Sequence, residues 1–501
     1  MTAQVMSAGL AGMAGFDVLV ETSVTNGLPA FAIVGLPDSS VQESRERVRA
    51  VIKNIGLAFP ARRILVNLAP ADTRKEGPIY DLPIALGVLI VSGQLEPVPD
   101  SVTFIGELSL DGRLRPVTGT LPMALSAYNS GAKGIFVPKD SADEASLVDG
   151  LAVYPAGHIT EILAHLRGEA EITPYIVHDV KPEDVIYPDF SEVQGQEAIR
   201  RSIEVAVSGS HNILLNGPAG SGKSMMAKRV PSILPPMTKA EMIEATAVHS
   251  VAGMTSKSNP LLRRRPFRSP HHTISASGLA GGGRVPKPGE MSLAHNGVLF
   301  LDEFPEFHRD ALESLRQPME DGRVTITRAG GAFTFPSGFM LVCAMNPCKC
   351  GWYGHPSGKC VCSEDAVRNY LKRISGPILD RIDIFIGVPS VKYAELTSKT
   401  ENESSAEIRK RVVSARNRQT KRQGAPNARL STAQIKTYCR IDKEGDRLMR
   451  MAYDKLGLSA RAYDKILRVA RTIADLADSD QIRHEHLAEA IQYRNSGMLE
   501  I

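Results

Sequence analysis

The chain has 501 residues, of which 43% are hydrophobic and 23% charged, and its formal net charge is +4 at pH 7. A chain of this length exceeds one hydrophobic core, so we expect about two to four domains. The small net charge excludes nucleic-acid binding driven by overall charge, and any such contact must come from local clusters of basic residues.

No apolar run approaches the ~20 residues that span a bilayer, and the first residues lack the basic-then-apolar pattern of a secretion signal. We therefore expect a cytoplasmic protein without a membrane contact. Four of the six cysteines lie between residues 348 and 362. In a reducing compartment this crowding favours a metal site over disulfides.

Residues 1–170 alternate between β-rich runs and helical patterns, which predicts an α/β domain. Residues 171–190 contain three prolines among charged residues and are interpreted as a linker. An amphipathic helix is predicted over 197–207, at the start of a nucleotide-binding core placed at 191–395. The strands predicted in the first domain cover 16–24, 30–34 and 63–68, and its helices cover 40–55 and 82–91.

A complete phosphate-binding loop follows the apolar run 212–215 and leads into a helical pattern. Its glycines let backbone N–H groups turn toward phosphate oxygens, Lys223 reaches the β- and γ-phosphates, and the Ser224 hydroxyl is a ligand of Mg²⁺. The helix directs its N-terminal dipole at the anion. The predicted nucleotide-binding residues are Gly217, Pro218, Ala219, Gly220, Ser221, Gly222, Lys223 and Ser224.

A second apolar run, 297–301, ends in Asp302 and Glu303. Because ligands bind at the carboxyl ends of strands in open α/β sheets, both carboxylates are expected beside the phosphate loop. Asp302 is the predicted Mg²⁺ ligand through water, and Glu303 is predicted to polarise the attacking water. Two acids after an apolar run are a weak signal alone, and the phosphate loop upstream strengthens it.

Two further polar residues are predicted to act on the γ-phosphate. Asn346 ends the apolar run 339–345 and would orient the lytic water, the role called sensor 1; the alternative is a strand cap before Pro347. Arg381 lies between carboxylates and makes either an intramolecular salt bridge or an arginine finger for a neighbouring subunit. We favour the finger, because a charge supplied across an interface couples hydrolysis to assembly.

Two segments of the core are predicted to be hairpins that present basic residues. Residues 265–284 are too Gly-rich for a packed strand pair and predict a mobile hairpin that ends at Arg284. Residues 324–335 alternate around a Gly-Gly turn, which is typical of a β-hairpin, and place Arg328 near its tip.

Two Cys-x-Cys pairs follow Asn346 directly: Cys348 with Cys350, and Cys360 with Cys362. Four thiolates suit tetrahedral Zn²⁺, although the residues of a ligand pair are usually spaced by two or more positions. His355 is an alternative ligand, and reduced free cysteines are the other alternative. A closed four-ligand site leaves no position for substrate, so we expect a structural metal.

The last part of the chain, 396–501, is predicted to be helical. Residues 407–422 carry seven basic side chains, which indicate either a solvated helix face or an auxiliary DNA contact. From about residue 431 onward the apolar spacing is helical throughout.

Part of the first domain resembles the proteolytic domain of the Lon family. In that family a serine follows a Gly-Pro pair and a lysine lies shortly after a second motif. Here Ile79 takes the serine position and Leu121 or Pro122 the lysine position, so neither nucleophile nor base is present. The resemblance implies a Lon-like fold over 1–170, without peptidase activity, kept for assembly or partner contact. The motifs that carry it are Lys75-Glu76-Gly77-Pro78, residues 106–113 and residues 131–138.

The run 265–303, the hairpin with Arg328, and Leu379-Asp380-Arg381 resemble the magnesium-chelatase-like branch of AAA+ ATPases. Joined to a Lon-like domain, the whole chain resembles the ComM (YifB) family of bacterial proteins. The resemblance implies an AAA+ core with helix-2 and pre-sensor-1 hairpin insertions and a C-terminal helical lid. It also implies a hexameric ATP-dependent helicase that promotes branch migration in homologous recombination and in integration of transforming DNA.

By the same resemblance, Arg461 takes the sensor 2 position on the nucleotide. Arg284 and Arg328 would contact phosphates of branched or single-stranded DNA without reading its sequence. Two other functions stay open. A chelatase-type motor would remodel a protein partner, but the Lon-like domain and the lack of a metal-docking domain argue against it. An ATP-dependent protease is disfavoured by Ile79.

Overall fold

The computed structural model describes residues 1–176, 187–255, 260–328, 331–390 and 402–494. The chain forms two compact units. The first contains residues 1–183 together with 242–262 and 327–335, and the second contains 184–241, 263–326 and 336–501. Two short segments from the middle of the sequence thus pack with the N-terminal residues. Of the predicted linker, residues 177–186 lie outside the described residues.

A seven-stranded sheet forms the centre of the first unit, with the strand order β3-β4-β2-β1-β5-β8-β9. Strand β2 pairs antiparallel with β1 and β4, and the remaining neighbours in this sheet are parallel. The strands are β1 (Thr2–Ala11), β2 (Ala14–Thr25), β3 (Ala30–Val34), β4 (Arg63–Ala69), β5 (Val102–Phe104), β8 (Gly134–Pro138) and β9 (Ala152–Ala156), and the short pair β6 (Glu107–Leu108) and β7 (Leu114–Arg115) forms a separate ribbon.

The helices of the first unit cover the sheet, and one of them is buried on every side. All eleven residues of α2 are buried, as expected for a helix of almost purely apolar sequence. The three strands and two helices predicted in this domain are confirmed, with small shifts at their ends. The helices are α1 (Ser39–Asn54), α2 (Asp81–Val91), α3 (Thr120–Asn129), α4 (Ala142–Ala145) and α5 (Ile159–Leu166).

Glu144 shows how the segment 242–262 joins the first unit. Its carboxylate is buried and accepts hydrogen bonds from Leu121 N–H at 2.6 Å, from the Thr255 hydroxyl at 2.9 Å, and from the Ser250 hydroxyl. Burial raises the pKa of Glu144, although these donors oppose the shift. A buried carboxylate needs such partners, because desolvation without them is costly.

The second unit is built on a five-stranded parallel sheet with the order β11-β14-β17-β10-β18. Its central strands are fully buried, which explains why they appear in the sequence as continuous apolar runs. The strands of this sheet are β10 (Ile213–Asn216), β11 (Phe267–Arg268), β14 (Val298–Leu301), β17 (Met340–Met345) and β18 (Ile384–Gly387). Two separate ribbons pair β12 (Gly281–Gly282) with β13 (Lys287–Pro288) and β15 (Arg323–Arg328) with β16 (Gly331–Pro336). Strands β15 and β16 and the helix Lys239–Val251 lie partly in the first unit.

Residues 402–494 are helical, which confirms the prediction from apolar spacing for the described part of the C-terminal region. Side chains of Ser404, Ser431, Asp442 and Ser459 cap four of these helices. The helices from residue 187 onward are α6 (Glu197–Gly209), α7 (Lys223–Ala227), α8 (Val230–Ile233), α9 (Lys239–Val251), α10 (Ala276–Ala280), α11 (Glu290–Leu293), α12 (Arg309–Ser314), α13 (Arg316–Asp321), α14 (Glu364–Leu371), α15 (Gly376–Leu379), α16 (Ser405–Gln423), α17 (Thr432–Tyr438), α18 (Lys443–Leu456), α19 (Ala460–Leu476) and α20 (His484–Gln492).

Short 3₁₀ helices occur at Pro78–Tyr80, Lys139–Ser141, Phe190–Glu192, Phe304–Glu306 and Asn427–Arg429. In the parts of the chain that the structure describes, no helix is both long and apolar enough to cross a membrane.

Candidate nucleotide-binding site

The phosphate loop, the two acids and Asn346 meet at one edge of the second sheet. Strands β14, β17 and β10 are neighbours and run parallel, with Leu301 opposite Cys343 and Asn216 opposite Met345. Their carboxyl ends therefore lie together, and the residues after each strand share one site. The sequence predicted this juxtaposition from three separate apolar runs.

The loop after β10 folds tightly because of its glycines. Gly220 and Gly222 have backbone φ angles of +76° and +85°, which residues other than glycine rarely adopt. A Cβ atom on Gly217 would lie 2.2 Å from the carbonyl oxygen of Val388, so this position admits no side chain. Helix α7 begins at Lys223, directly after the loop.

Lys223 is buried at the centre of the site. Its Nζ donates to the carbonyl oxygens of Gly217 at 2.7 Å and Pro218 at 2.8 Å, and to Asn346 Oδ1 at 3.1 Å. Burial lowers the pKa of Lys223 to about 8, while the charge of Asp302 opposes this shift. The amine is thus held at the loop by acceptors that phosphate oxygens would replace.

Ser224 and Asp302 form the oxygen pair expected for Mg²⁺. The Ser224 hydroxyl donates to Asp302 Oδ2 at 2.6 Å, and both residues are partly exposed. Hydroxyl and carboxylate oxygens are ligands that Mg²⁺ accepts together with waters and phosphates. The residues present therefore fit this ion.

Glu303 has a left-handed backbone, with φ +51°, and an exposed carboxylate. Its Oε2 lies 2.9 Å from Nδ1 of His272, a contact that the sequence reasoning missed. His272 lies four residues after β11, which pairs with β14, and Glu303 lies two residues after β14. A histidine pair shortly after that edge strand is the only signal that the sequence offers for this contact.

Arg381 and Arg461 line a cavity that does not include the residues at the sheet edge described above. The guanidinium of Arg381 pairs with the carboxylate of Glu320 and donates to Pro377 O at 2.7 Å. Within one chain, Arg381 thus makes the intramolecular salt bridge that was the alternative to an arginine finger. Exposed Arg461 lines the same cavity of about 790 Å³. The lining includes Arg416, Lys465 and Arg468, but none of residues 217–224, 302, 303 or 346.

Comparison with known proteins covers nearly the whole chain. The family "Magnesium chelatase, subunit ChlI" matches residues 189–396, "Subunit ChlI of Mg-chelatase" matches 20–141, and "Magnesium chelatase, subunit ChlI C-terminal" matches 402–494. The Escherichia coli protein YifB is 43% identical over 95% of this chain and 94% of its own length. The competence protein ComM of Haemophilus influenzae is 42% identical over the same shares.

The chain belongs to the ComM/YifB family of magnesium-chelatase-like proteins. A Lon protease of Buchnera aphidicola is also similar, with 27% identity over 34% of this chain and 23% of its own length. The mixed α/β architecture with parallel strands is consistent with this membership. Members of AAA+ families use ATP and Mg²⁺, which agrees with the fit of the loop and of the Ser224–Asp302 pair.

The Lon-like part of this family member has apolar side chains where a peptidase needs reactive ones. Ile79 is buried in the 3₁₀ helix Pro78–Tyr80, and Leu121 and Pro122 are buried in α3. Lys75 is the buried amine of this region, and its Nζ donates to the carbonyl oxygens of Pro70 and, at 2.8 Å, Thr73. These positions provide no nucleophile next to a free base.

The two candidate DNA contacts are exposed. Arg284 lies in the turn between β12 and β13, and the Gly-rich segment around it consists of short helix α10 followed by this two-stranded ribbon. Arg328 ends β15, which pairs with β16, and donates to Thr327 O at 3.1 Å. Residues 329–330, which include part of the predicted Gly-Gly turn, lie outside the described residues.

The basic residues of α16 are mostly engaged within the chain. Arg411 pairs with Glu204 and Glu403, and Arg418 pairs with Asp478 and Asp480. Arg422 pairs with buried Asp475 at 2.7 Å. Arg416 donates to the carbonyl oxygens of residues 207 and 208, and burial lowers its pKa to about 9. These four arginines hold α16 in place, which disfavours both earlier interpretations of the charge run.

The four cysteines of 348–362 lie together. Each offers a sulfur, and all four sulfur atoms lie within 4.8 Å of one another. His355 is not part of the group, because its ring nitrogens hydrogen-bond to Ser357 Oγ and Ser390 Oγ, both at 2.7 Å. The alternative ligand set with His355 is therefore wrong.

Proposed function

We propose that this chain is the subunit of a hexameric, ATP-driven DNA motor that promotes branch migration in homologous recombination and in integration of transforming DNA. The observation that carries the ATPase is the meeting of Lys223, Asn346, Ser224 and Asp302 at one sheet edge. The DNA step is supported by similarity to a relative named a competence protein. Arg284 and Arg328 are exposed basic side chains that can contact DNA phosphates.

Hydrolysis is assigned to the chain's own side chains at this edge. Lys223 binds the β- and γ-phosphates, and Ser224 with Asp302 would hold Mg²⁺, which would supply neutralisation of the phosphate charge. Glu303 orients and polarises the attacking water, while one oxygen of its carboxylate lies against His272. Asn346 exchanges its contact with Lys223 for the lytic water.

Arg381 and Arg461 are assigned to the nucleotide of a neighbouring subunit. They share a cavity that contains no phosphate-loop residue, so neither reaches the nucleotide of its own chain through that cavity. An incoming γ-phosphate would compete with Glu320 for the Arg381 guanidinium, because both are anions. This arrangement makes hydrolysis depend on assembly.

The remaining elements receive roles by family membership. The α10–β13 region would be the helix-2 insertion, β15 and β16 the pre-sensor-1 hairpin, and the helices of 402–494 the lid. Residues 1–170 would form the Lon-like domain, which serves assembly or partner contact. The four-cysteine cluster would hold a structural Zn²⁺.

The test is the ATPase rate of the purified protein with and without a synthetic four-way junction, together with ATP-dependent displacement of a labelled arm. ATP hydrolysis and arm displacement should both be lost in the variant Lys223→Ala. The double variant Arg284→Ala/Arg328→Ala should keep its basal ATPase, lose DNA stimulation, and show a binding curve less steep in salt by about one unit of log–log slope per lost phosphate contact. Arg450→Ala is the control, since Arg450 is an exposed arginine that pairs with Asp446.

A second candidate is a chelatase-type motor that remodels a protein partner, which the three matched magnesium-chelatase families favour. ATP hydrolysis that ignores every DNA structure, with no arm displacement, would refute the DNA motor and put this candidate first.

A further inference from the structure

The geometry of the cysteine cluster matches a metal site rather than a disulfide. Cys348 Sγ lies 3.3 Å from Cys350 Sγ and 3.9 Å from Cys360 Sγ, and the last two sulfurs are 3.7 Å apart. Four sulfurs bound tetrahedrally at about 2.3 Å are separated by about 3.8 Å. A disulfide would require about 2.05 Å. The distances among these three sulfurs are thus close to those that one Zn²⁺ imposes, and Cys362 Sγ lies within 4.8 Å of each of them.

One backbone group supports the cluster. Tyr353 N–H donates to Cys348 Sγ at 3.3 Å. Such a donor orients a sulfur toward a metal. Cys348 is buried, while the other three cysteines are partly exposed, so the site has a closed side and an entry side.

The loop that the cluster closes contacts the phosphate loop directly. Gly351 O accepts a hydrogen bond from Ala219 N–H at 3.2 Å. Gly351 has φ +83°, and a Cβ atom there would lie 3.0 Å from Ala219 Cβ. Gly217 N–H donates to Met345 O at 3.2 Å, three residues before Cys348. Gly217 and Ala219, in the first half of the phosphate loop, are therefore hydrogen-bonded to residues on either side of Cys348 and Cys350.

We propose that the four cysteines bind one Zn²⁺ and that this ion, through Gly351, holds the phosphate loop in its ATP-binding geometry. Binding converts the four thiols to thiolates and releases their protons. Without the ion, the two Cys-x-Cys pairs are no longer tied together, and Gly351 O loses its fixed position beside Ala219. Metal occupancy then sets the affinity for ATP. The second part rests on the proposed ATPase function, whereas the metal site does not.

The metal site is tested on the full chain by elemental analysis. We expect one zinc and no iron per wild-type chain, and no zinc in Cys360→Ser/Cys362→Ser. Cys439→Ala, which changes a cysteine outside the cluster, should keep its zinc. Trp352 is the only tryptophan and lies between the two pairs, so its emission reports this loop alone. Chelation should shift that emission and zinc addition restore it. Iron, or absence of zinc in the wild type, would overturn the site.

The coupling is tested by binding of a fluorescent, non-hydrolysable ATP analogue. Removal of zinc from the wild-type protein should weaken binding about fivefold or more, and zinc addition should restore it. Gly351→Ala should keep its zinc and bind the analogue several-fold more weakly. Gly354→Ala is the matched control, because Gly354 has φ +74° in the same loop but no atom within 4 Å of the added Cβ.

Unchanged affinity after zinc removal, or equal affinities of the two glycine variants, would overturn the coupling. Zinc content is measured without nucleotide. A wild-type protein that held zinc but bound no ATP analogue would refute the proposed ATPase and leave the metal site standing.

Discussion

ATP binding should be accompanied by proton uptake at Lys223. In the nucleotide-free protein, burial lowers the pKa of this amine to about 8. About half of the molecules then carry a neutral Lys223 at pH 8, and about one tenth at pH 7. Phosphate oxygens favour the charged amine, so binding restores the missing proton. We expect uptake of about 0.5 proton per ATP at pH 8 and about 0.1 at pH 7.

The assay is isothermal titration calorimetry with a non-hydrolysable ATP analogue and Mg²⁺, in buffers of different ionisation enthalpy. The dependence of the observed enthalpy on the buffer gives the number of protons taken up. Since only the charged amine binds phosphates well, the affinity should be nearly constant below pH 8 and fall about tenfold by pH 9.

Lys223→Arg is the control, because a guanidinium is charged throughout this range. Its proton uptake should be close to zero at both pH values, and its affinity should not fall between pH 8 and pH 9. Equal uptake in the wild type and in Lys223→Arg, or no increase from pH 7 to pH 8, would refute the reasoning about a desolvated amine.

Three further predictions address catalysis and stability. Glu303→Gln should bind ATP but not hydrolyse it, so a filter-binding assay should detect trapped ATP; full turnover would contradict the role of Glu303. Arg381→Ala should be inactive alone and regain part of its ATPase when mixed with Glu303→Gln subunits, whereas no rescue would favour the salt bridge with Glu320. In Asp383, burial opposes ionisation, but Lys465 at 2.8 Å outweighs it and holds the pKa well below its usual range. This stabilisation is present at neutral pH and lost on acidification, so Asp383→Asn should reduce the free energy of unfolding at pH 7 by about 3 kcal/mol. Exposed Asp478→Asn should reduce it by less than about 1 kcal/mol, with thermal melting as the measurement.

The juxtaposition of residues at the candidate nucleotide-binding site could be predicted where each side chain follows a buried strand. The strands β10, β14 and β17 appear in the sequence as apolar runs, and parallel pairing brings their carboxyl ends and the residues that follow them together. The contact of His272 with Glu303 could not be predicted, because β11 has only two residues and its pairing depends on tertiary structure. Local patterns describe an element, but not the neighbour that it meets.

Runs of charged residues were the least informative about function, because the sequence does not show which acidic residues the basic side chains meet. The partners of Arg411, Arg418 and Arg422 in α16 include residues more than 50 positions away in sequence. The ion pair of Arg381 with Glu320 joins residues separated by 61 positions. Spacing along one helix shows which side chains share a face, but not the acidic residues that pair with them, which here lie on α6, on α19 and in loops.

The contacts of Glu144 prevent the first unit from being produced intact as an N-terminal fragment. A fragment ending at residue 176 would keep the Leu121 donor but lose Ser250 and Thr255, leaving a buried carboxylate with one of its three donors. It would also lack residues 327–335, which the intact chain supplies to the same unit. The chain crosses between its units several times, so excision at a single site cannot yield either one complete. Any exchange of the Lon-like part between relatives, by engineering or by recombination of genes, must carry matching changes in residues 242–262 and 327–335.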